Sequence, residues 1–193
     1  SGLDKKRRAR AHPKGRPVEP QALAEIRALL GEAPRRRDLL IEFLHRIQDL
    51  YGHISGAHVV ALAEEMKLAR TEVYEVATFY HHFDVIADGE TPPPPLTVRV
   101  CETLSCQMAG ADALLAALQQ SGASGVRVIG APCIGRCEHA PAALVGRHPV
   151  DEATPAKIAA AISGKRTEAE PPPYIGLAAY RADGGYRTAA ACV

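Results

Sequence analysis

Apolar side chains recur at helical spacing between residues 19 and 84. Four stretches each carry one apolar face, which predicts four short amphipathic helices. Gly31 with Pro34 ends the first, and two glycines within residues 51–56 end the second. We therefore expect a compact four-helix bundle over residues 19–84. Its apolar positions, helix by helix, are Leu23, Ile26, Leu29 and Leu30; Leu39, Leu40, Phe43, Leu44, Ile47 and Leu50; Val59, Val60, Leu62, Ala63 and Met66; and Val73, Val76, Ala77 and Tyr80.

The third and fourth helices, expected near residues 57–67 and 70–81, are joined by a tight link that also suits a helix-turn-helix DNA reader. The exposed face of the fourth helix would then meet DNA, where cationic and amide side chains are needed. That face offers Glu72 and Glu75 with only Arg70. Because carboxylates repel phosphate, we expect no nucleic-acid partner.

The hydrophobic period changes after a proline-rich boundary. Residues 85–95 include four consecutive prolines, which cannot continue a helix or enter a central strand. This stretch predicts a stiff spacer. Beyond it the period is two, which predicts a strand that ends at Cys101. The strand alternates apolar Leu96, Val98 and Val100 with polar Thr97 and Arg99.

Residues 96–165 together predict a small α/β layer. A helix rich in Ala and Leu is expected over 108–120, and strands over 126–129, 142–145 and near 148–150. Thr154 with Pro155 begins a last helix that Gly164 stops. The order strand, helix, strand, strand, strand, helix places the cysteines at strand ends and in the following loops.

Composition is that of a soluble globular protein, with 47% hydrophobic and 23% charged residues among 193. No apolar run approaches the roughly 18 residues of a membrane span, so we expect no direct membrane insertion. No secretory signal is readable, and a cytoplasmic location is expected. Charge is uneven: residues 1–16 carry a net +6 and the remaining chain −5. Residues 1–18 predict a basic, disordered arm, which could alternatively dock on an acidic partner protein.

Four of the five cysteines form two pairs, Cys101-x4-Cys106 and Cys133-x3-Cys137. Structural disulfides are disfavoured in a reducing compartment, and thioredoxin-type catalysis needs Cys-x-x-Cys. Four thiolates suit structural zinc, although the first pair is loosely spaced for a zinc ribbon. An iron-sulfur cluster accepts this spacing because each iron takes two thiolates. Neither the plant-type ferredoxin pattern nor a second Rieske histidine beside His139 is present, so spacing leaves zinc and a [2Fe-2S] cluster open. The histidines of the helical region receive no ligand role; they are His45, His53, His58, His81 and His82.

Several motifs resemble the thioredoxin-like [2Fe-2S] ferredoxins. Residues 51–54, YGHI, resemble the family's YGYI turn, and residues 72–80, EVYEVATFY, with Phe83 resemble its VYEVATFY helix. The two cysteine pairs, followed by Ala140-Pro141, complete the pattern. The family includes the 24 kDa type subunit of respiratory complex I and related parts of NAD-linked hydrogenases and NAD-dependent formate dehydrogenases. The resemblance covers roughly residues 20–165.

The resemblance implies an α/β (α+β) fold, in which a helical bundle precedes a thioredoxin-like [2Fe-2S] domain. It implies that Cys101, Cys106, Cys133 and Cys137 hold the cluster. The expected function is one-electron transfer in an NAD(H)-linked oxidoreductase complex, with no substrate catalysis by this chain alone. FMN and NAD(H) are expected on a flavoprotein subunit or fused domain, not on this chain. The alternative is a zinc-stabilised scaffold without redox activity.

Residues around the cysteines add finer expectations. Gly130 and Gly135 are expected to let backbone N–H groups approach the cluster sulfurs, or only to permit tight turns. Arg136 either raises the cluster potential by its charge or faces solvent. The resemblance also implies a cis bond at Ala140-Pro141.

The C-terminal residues 166–193 predict a further region beyond the α/β layer. Three prolines begin a stiff spacer, and residues 174–186 resemble the opening of the FMN- and NADH-binding subunit that partners this family. We expect this region to be either the start of a fused flavoprotein module or a docking strap for a separate one. Cys192 lies in this tail and is expected to be a spare thiol.

Overall fold

The computed structural model describes residues 16–171 and 173–192. Most of the predicted basic arm therefore lies outside the described residues. Its described end is packed: Arg16 forms ion pairs with Glu19 and Asp88, at 2.6 and 2.7 Å, and Val18 packs against the helical core. Packing thus starts a few residues before the predicted boundary, because this arginine and this valine find partners on the body of the protein.

The predicted N-terminal helices are present as α1 (Pro20–Leu30), α2 (Leu40–Tyr51), α3 (Gly56–Met66) and α4 (Arg70–Phe79). A 3₁₀ turn, Arg37–Leu39, leads into α2. Gly52 ends α2 with φ 72°, a left-handed conformation that glycine adopts without steric cost. The four helices enclose one core, whose fully buried side chains include Ile26, Phe43, Leu44, Leu62 and Val73.

Two residues that were predicted to lie in the helical core are exposed instead. Leu50 is 61% exposed, because α2 turns Tyr51 rather than Leu50 toward the core at its last turn. Tyr80 is 41% exposed, since α4 ends at Phe79 and the backbone of Tyr80 is extended. The amphipathic pattern therefore predicted the helices correctly but extended two apolar faces beyond the packed region.

Two short strands were not predicted. The strands β1 (Ile54–Ser55) and β2 (Val85–Ile86) pair in parallel, with Ile54 opposite Val85. Phe83 is buried in the helical core, and Val85 packs against it. The structure of the helical region thus continues two residues into the predicted spacer of residues 85–95.

The second half forms a four-stranded sheet of β3 (Leu96–Cys101), β4 (Val126–Ala131), β5 (Ala143–Val145) and β6 (His148–Val150). The spatial order is β4-β3-β5-β6, with β3 parallel to β4 and the other pairs antiparallel. These four strands and their order along the chain are as predicted.

Helices cover the sheet and complete the second core. A short helix, α5 (Leu104–Met108), was not predicted, and α6 (Ala111–Ser121) then makes the crossover from β3 to β4. The helix α7 (Pro155–Ser163) begins at the predicted Thr154 cap, whose hydroxyl accepts from the Lys157 N–H. Side chains of α6, α7 and the sheet share one hydrophobic cluster.

Both faces of β3 are buried. Val98 and Val100 point into the core of the sheet, while Thr97 and Arg99, on the opposite face, are each only 8% exposed. The helical region covers that second face: an Nη of Arg99 donates to the carbonyl oxygen of His82 at 3.3 Å. The polar side of the strand therefore meets protein rather than water.

The tail contains two short helices that the sequence did not predict, α8 (Leu177–Ala182) and α9 (Arg187–Ala191). Neither contributes a buried residue, and the rings of Tyr180 and Tyr186 contact each other edge to face at 5.1 Å. Within the described stretches, no helix combines the length and apolarity needed to cross a bilayer.

Candidate metal centre

The four cysteines of the two pairs come from neighbouring ends of the sheet. Cys101 is the last residue of β3, and Cys106 lies on α5 just beyond it. Cys133 follows β4 by two residues, and Cys137 begins a 3₁₀ turn over Cys137–His139. Because β3 and β4 are parallel, with Cys101 opposite Ala131 in the register, their carboxyl ends meet at one edge. The fold therefore brings together two pairs of cysteines that are well separated along the chain.

The thiols are free and close to one another. The Sγ atoms of Cys133 and Cys137 are 3.6 Å apart, and two sulfurs on one tetrahedral ion with bonds near 2.3 Å lie about 3.8 Å apart. Cys101 and Cys106 are near enough for each thiol to shift the pKa of the other. The charge of Cys101 also raises the pKa of Cys137. The structure thus assembles all four predicted site residues into one cluster of thiols.

The two pairs differ in exposure. Cys101 and Cys106 are 2% and 1% exposed and belong to the core of the sheet. Cys133 and Cys137 are exposed. One side of the site is therefore insulated by protein, and the other is open to solvent or to a partner.

Local contacts set the protonation of the thiols. Burial opposes ionisation of Cys101, but hydrogen bonds from Thr103, Cys106 and the Ile134 backbone together outweigh it and lower the pKa of that thiol; Thr103 Oγ1 is 3.0 Å from the sulfur. Burial raises the pKa of Cys106. The neighbouring Cys133 raises the pKa of Cys137. Four thiolates therefore need a cation between them, and metal binding supplies one.

The two glycines near the site have different roles. Gly135 has φ 77°, and its N–H donates to the sulfur of Cys133 at 3.4 Å, in agreement with the prediction. Gly130 instead makes room for Glu102: a Cβ at this position would lie 1.8 Å from a carboxylate oxygen of that side chain. The sequence carried no signal for this contact, because Gly130 lies on β4 and Glu102 follows β3.

Arg136, between two of the cysteines, forms a two-pronged ion pair with Asp151. The hydrogen bonds from Arg136 lower the pKa of Asp151, and those to Asp151 raise the pKa of Arg136. The sequence predicted that Arg136 either raises the cluster potential by its charge or faces solvent. Neither prediction included Asp151 as a neutralising partner. The predicted cis bond at Ala140-Pro141 is confirmed.

Sequence reasoning missed Thr103 and Ser105, which lie inside the Cys101-x4-Cys106 segment. Thr103 contacts the sulfur of Cys101, and a hydrogen bond with Ser105 lowers the pKa of Cys137. Two hydroxyl residues between the first two cysteines are the signal that could have indicated these contacts, since hydroxyl groups can donate to thiolates.

Residues 26–166 match the protein family described as thioredoxin-like [2Fe-2S] ferredoxin. The chain belongs to this family. The match confirms the resemblance and agrees with the mixed helical and sheet architecture described above.

Relatives of this ferredoxin-family chain include subunits of NAD(P)-linked enzymes. NADH-quinone oxidoreductase subunit 2 of Thermus thermophilus is 30% identical over 141 residues, 68% of this chain and 75% of that protein. The NADP-reducing hydrogenase subunit HndA of Solidesulfovibrio fructosivorans is 25% identical over 153 residues, 73% of this chain and 85% of that protein.

A solved structure, the NAD+-reducing [NiFe]-hydrogenase in the H2-reduced state, has a similar fold. Its TM-score is 0.52 and its identity 23%, over 71% of this chain. The ferredoxin-family chain spans only 24% of that hydrogenase chain. This likeness therefore supports the fold alone.

The residues present fit the cofactor for which the family is named. Four free thiols in two pairs match the four ligands of a [2Fe-2S] cluster, two for each iron. The sulfur spacing of Cys133 and Cys137 suits one shared metal ion, and the Gly135 N–H already points at a sulfur. The same spacing would also suit zinc.

Proposed function

We propose that this chain is a one-electron carrier module of an NAD(H)-linked oxidoreductase complex, and that Cys101, Cys106, Cys133 and Cys137 hold its [2Fe-2S] cluster. The convergence of these four free thiols at one sheet edge, in a member of this family, carries the proposal. The electron partner is an FMN on a flavoprotein subunit or fused domain, which also binds NAD(H). We also propose that the chain is cytoplasmic.

Contacts between the thiols support an assignment of the ligands in pairs. Cys101 and Cys106 would hold one iron, and Cys133 and Cys137 the other, because the partners within each pair are close. When bound, the cluster supplies one site that gains and loses a single electron. Its four thiolates and two sulfides leave a formal charge of about −2 when oxidised. The Gly135 N–H and the Thr103 hydroxyl lie where they offset negative charge on the sulfurs.

The open side of the site suits a docking partner. Cys133 and Cys137 are exposed, and α5 presents Leu104 and Met108, which are 72% and 81% exposed, on either side of Cys106 along the chain. Exposed apolar side chains of this size often mark interaction sites. A flavoprotein that covered this face would bring its FMN toward the exposed pair, while the buried pair stays insulated.

The first test distinguishes the cluster from structural zinc. We expect protein purified without oxygen to contain about two irons and two sulfides per chain, and to give an EPR signal after one-electron reduction. Replacing any one of the four cysteines with Ser should abolish this iron, whereas Cys192→Ser, an exposed thiol of the tail, should not. A colourless protein with stoichiometric zinc would instead support the scaffold alternative.

A second measurement tests the assignment of FMN and NAD(H) to a partner. NADH alone should leave the isolated chain oxidised, because no flavin is expected on it to split the two-electron donor into single electrons. Addition of an NADH-oxidising FMN protein that docks on it should reduce the cluster within the mixing time of the assay. Reduction by NADH alone would contradict this assignment.

A further inference from the structure

A second group of potential metal ligands lies away from the four cysteines. His45 and Asp49 are one turn apart on α2, so they share one face of that helix. His82 follows α4 and reaches the same place. Each of these residues offers a ligand atom, and the three ligand atoms lie within 4.8 Å of one another. This group was not predicted, because His82 lies in the turn after α4, and the sequence does not reveal that this turn packs on α2.

His82 has a polar atom that the protein leaves unused. Its Nε2 is buried and has no hydrogen-bond partner among the residues described by the structure, and such an atom costs free energy if it stays unpaired. Its ring packs against that of His45, with centroids 4.8 Å apart, and His45 also contacts Phe83. Two imidazoles this close repel each other when both are protonated, and a shared metal ion would use both as neutral ligands.

Asp49 already has a partner, and this partner is compatible with metal binding. Arg147, in the turn between β5 and β6, contacts Oδ1 of Asp49. The carboxylate has a second oxygen for an ion, and ligating carboxylates commonly accept a hydrogen bond from a further residue. The site is therefore anchored on both regions, since His82 in turn accepts through its carbonyl from Arg99 of β3.

We propose that His45, Asp49 and His82 form a binding site for one divalent transition-metal ion, best suited to Zn²⁺, at the junction of the helical bundle and the sheet. Two imidazole nitrogens and one carboxylate oxygen favour zinc and its neighbours over Mg²⁺ or Ca²⁺. Ligand atoms around zinc lie about 3.3 Å apart, so rotation of the His82 and Asp49 side chains must close the remaining gap. Beside the site lies a cavity of about 500 Å³, lined in part by Asp49, His82, Arg99 and Arg147, from which water can fill the fourth position.

Bound metal would tie the turn after α4 to α2 at the point where both meet the sheet. This role is separate from the cysteine cluster and needs no electron transfer. It therefore does not depend on the proposed function, and the two can fail independently.

The test titrates Zn²⁺ by calorimetry into the full chain as purified without oxygen, whatever metal its cysteines hold, after treatment with EDTA. We expect one added zinc per chain, with no loss of the metal that the cysteines already hold. X-ray absorption spectra of the zinc should show only nitrogen and oxygen neighbours at about 2.0 Å. Zinc on the cysteines would instead show sulfur neighbours at about 2.3 Å. His82→Gln should weaken zinc binding at least about tenfold, and His81→Gln, the exposed neighbouring histidine, should not change it.

Asp49→Asn serves as a second variant, because this exposed position should fold normally. It should weaken binding to a similar extent. Iron content and circular dichroism of each variant check that it is folded. Equal zinc affinity in His82→Gln, Asp49→Asn and the unaltered chain, a sulfur shell, or a dissociation constant above about 1 mM would each overturn the site.

Discussion

Arg136 shows how much a single contact changes the expected electrostatics of the site. Its position between Cys133 and Cys137 suggests a positive charge beside the cluster. Asp151, however, holds the guanidinium in a two-pronged ion pair, and both side chains are about one third exposed. The pair is therefore close to neutral as seen from the sulfurs, so Arg136 and Asp151 act together.

The prediction at this scale concerns the midpoint potential of the cluster. Asp151→Asn leaves the charge of Arg136 unbalanced and should raise the potential, by up to about 60 mV, the value of one tenfold step for a one-electron couple. The double change Arg136→Gln with Asp151→Asn should return the potential close to that of the unaltered chain. EPR-monitored redox titration measures both.

The single and double variants together also show which potentials would contradict the neutral-pair interpretation. Arg136→Gln alone should lower the potential, because it leaves the charge of Asp151 unbalanced. If the double variant differs from the unaltered chain as much as either single variant does, the pair is not neutral as seen from the sulfurs and the interpretation is wrong. Lys157→Gln provides a matched control, since Lys157 contacts the Asp151 carbonyl oxygen rather than the Arg136 guanidinium.

At the residue scale, the sequence predicted what depends on spacing and missed what depends on contact. The two cysteine pairs were recognisable because ligand spacing is local. The Arg136–Asp151 pair spans fifteen residues, and the partner of Gly130, Glu102, lies in the loop after the neighbouring strand. Which of several carboxylates reaches such a position is fixed only by the fold.

At the scale of elements, α1 and α3 are joined by a polar contact beside their apolar core. Glu25 Oε2 on α1 is 3.1 Å from Nε2 of His58 on α3, and Gln21 donates to the same carboxylate at 3.0 Å. The ring of His58 also packs against Tyr51 at 4.6 Å. Hydrogen bonds from Gln21 and then from His58 lower the pKa of Glu25. Ionised Glu25 therefore stabilises the packing of these helices.

This contact predicts a pH dependence. A carboxylate whose pKa is lowered by folding contributes stability above its unfolded pKa, about 4.3, and loses it as pH falls through the lower folded value. Glu25→Gln should reduce the free energy of unfolding at neutral pH, by no more than about 1 kcal/mol because Glu25 is one third exposed. The difference should shrink at about pH 3. Urea unfolding followed by circular dichroism at both pH values measures it.

The control for this experiment is Glu75→Gln, an exposed carboxylate on α4, which should have little effect at either pH. A Glu25→Gln difference that stays the same at neutral and acidic pH would show that the charge of Glu25 does not stabilise the helix pair.

Element prediction succeeded where a segment was long enough to display its period. The helices α1 to α4 and the strand β3 each run over several turns or alternations. By contrast, α5 has five residues and β1 and β2 have two each, which is too short for a period to be visible. The tail helices α8 and α9 are also short and bury no residue, so no apolar face marks them.

At the scale of the whole molecule, Asp84 connects the helical region to the sheet. Its carboxylate accepts from Arg127 of β4 at 2.6 Å and lies 3.5 Å from Arg99 of β3. Only 14% of the Asp84 side chain is exposed, and 10% of Arg99. Burial lowers the pKa of Arg99, although Asp84 opposes this effect. One carboxylate therefore compensates two largely buried cations.

We predict that Asp84→Asn lowers the free energy of unfolding by about 3 kcal/mol, because it leaves the buried Arg99 and the partly buried Arg127 without a counter-charge. Asp38→Asn, which breaks an exposed pair with Arg36, should have little effect by comparison. Urea unfolding of both variants gives the comparison. Equal, small losses would mean that Asp84 does not hold the two regions together.

This arrangement could not be predicted from sequence. The proline-rich boundary indicated two regions, and the motifs indicated what each contains. The alternation of Thr97 and Arg99 with valines described a strand with one polar face, as expected for a sheet that faces water. That this face instead packs on the helical region follows from long-range contacts between residues such as Asp84 and Arg127, which leave no pattern along the chain.

The unequal exposure of the four cysteines also has a consequence for maturation. Iron delivered by another protein can reach Cys133 and Cys137 directly, whereas Cys101 and Cys106 lie beneath the surface. On the proposed ligand assignment, loading therefore proceeds through the exposed edge, and oxidants and chelators attack the finished centre from the same direction. A flavoprotein docked over that edge would close it, so insertion of the centre must precede assembly, and assembly in turn protects it.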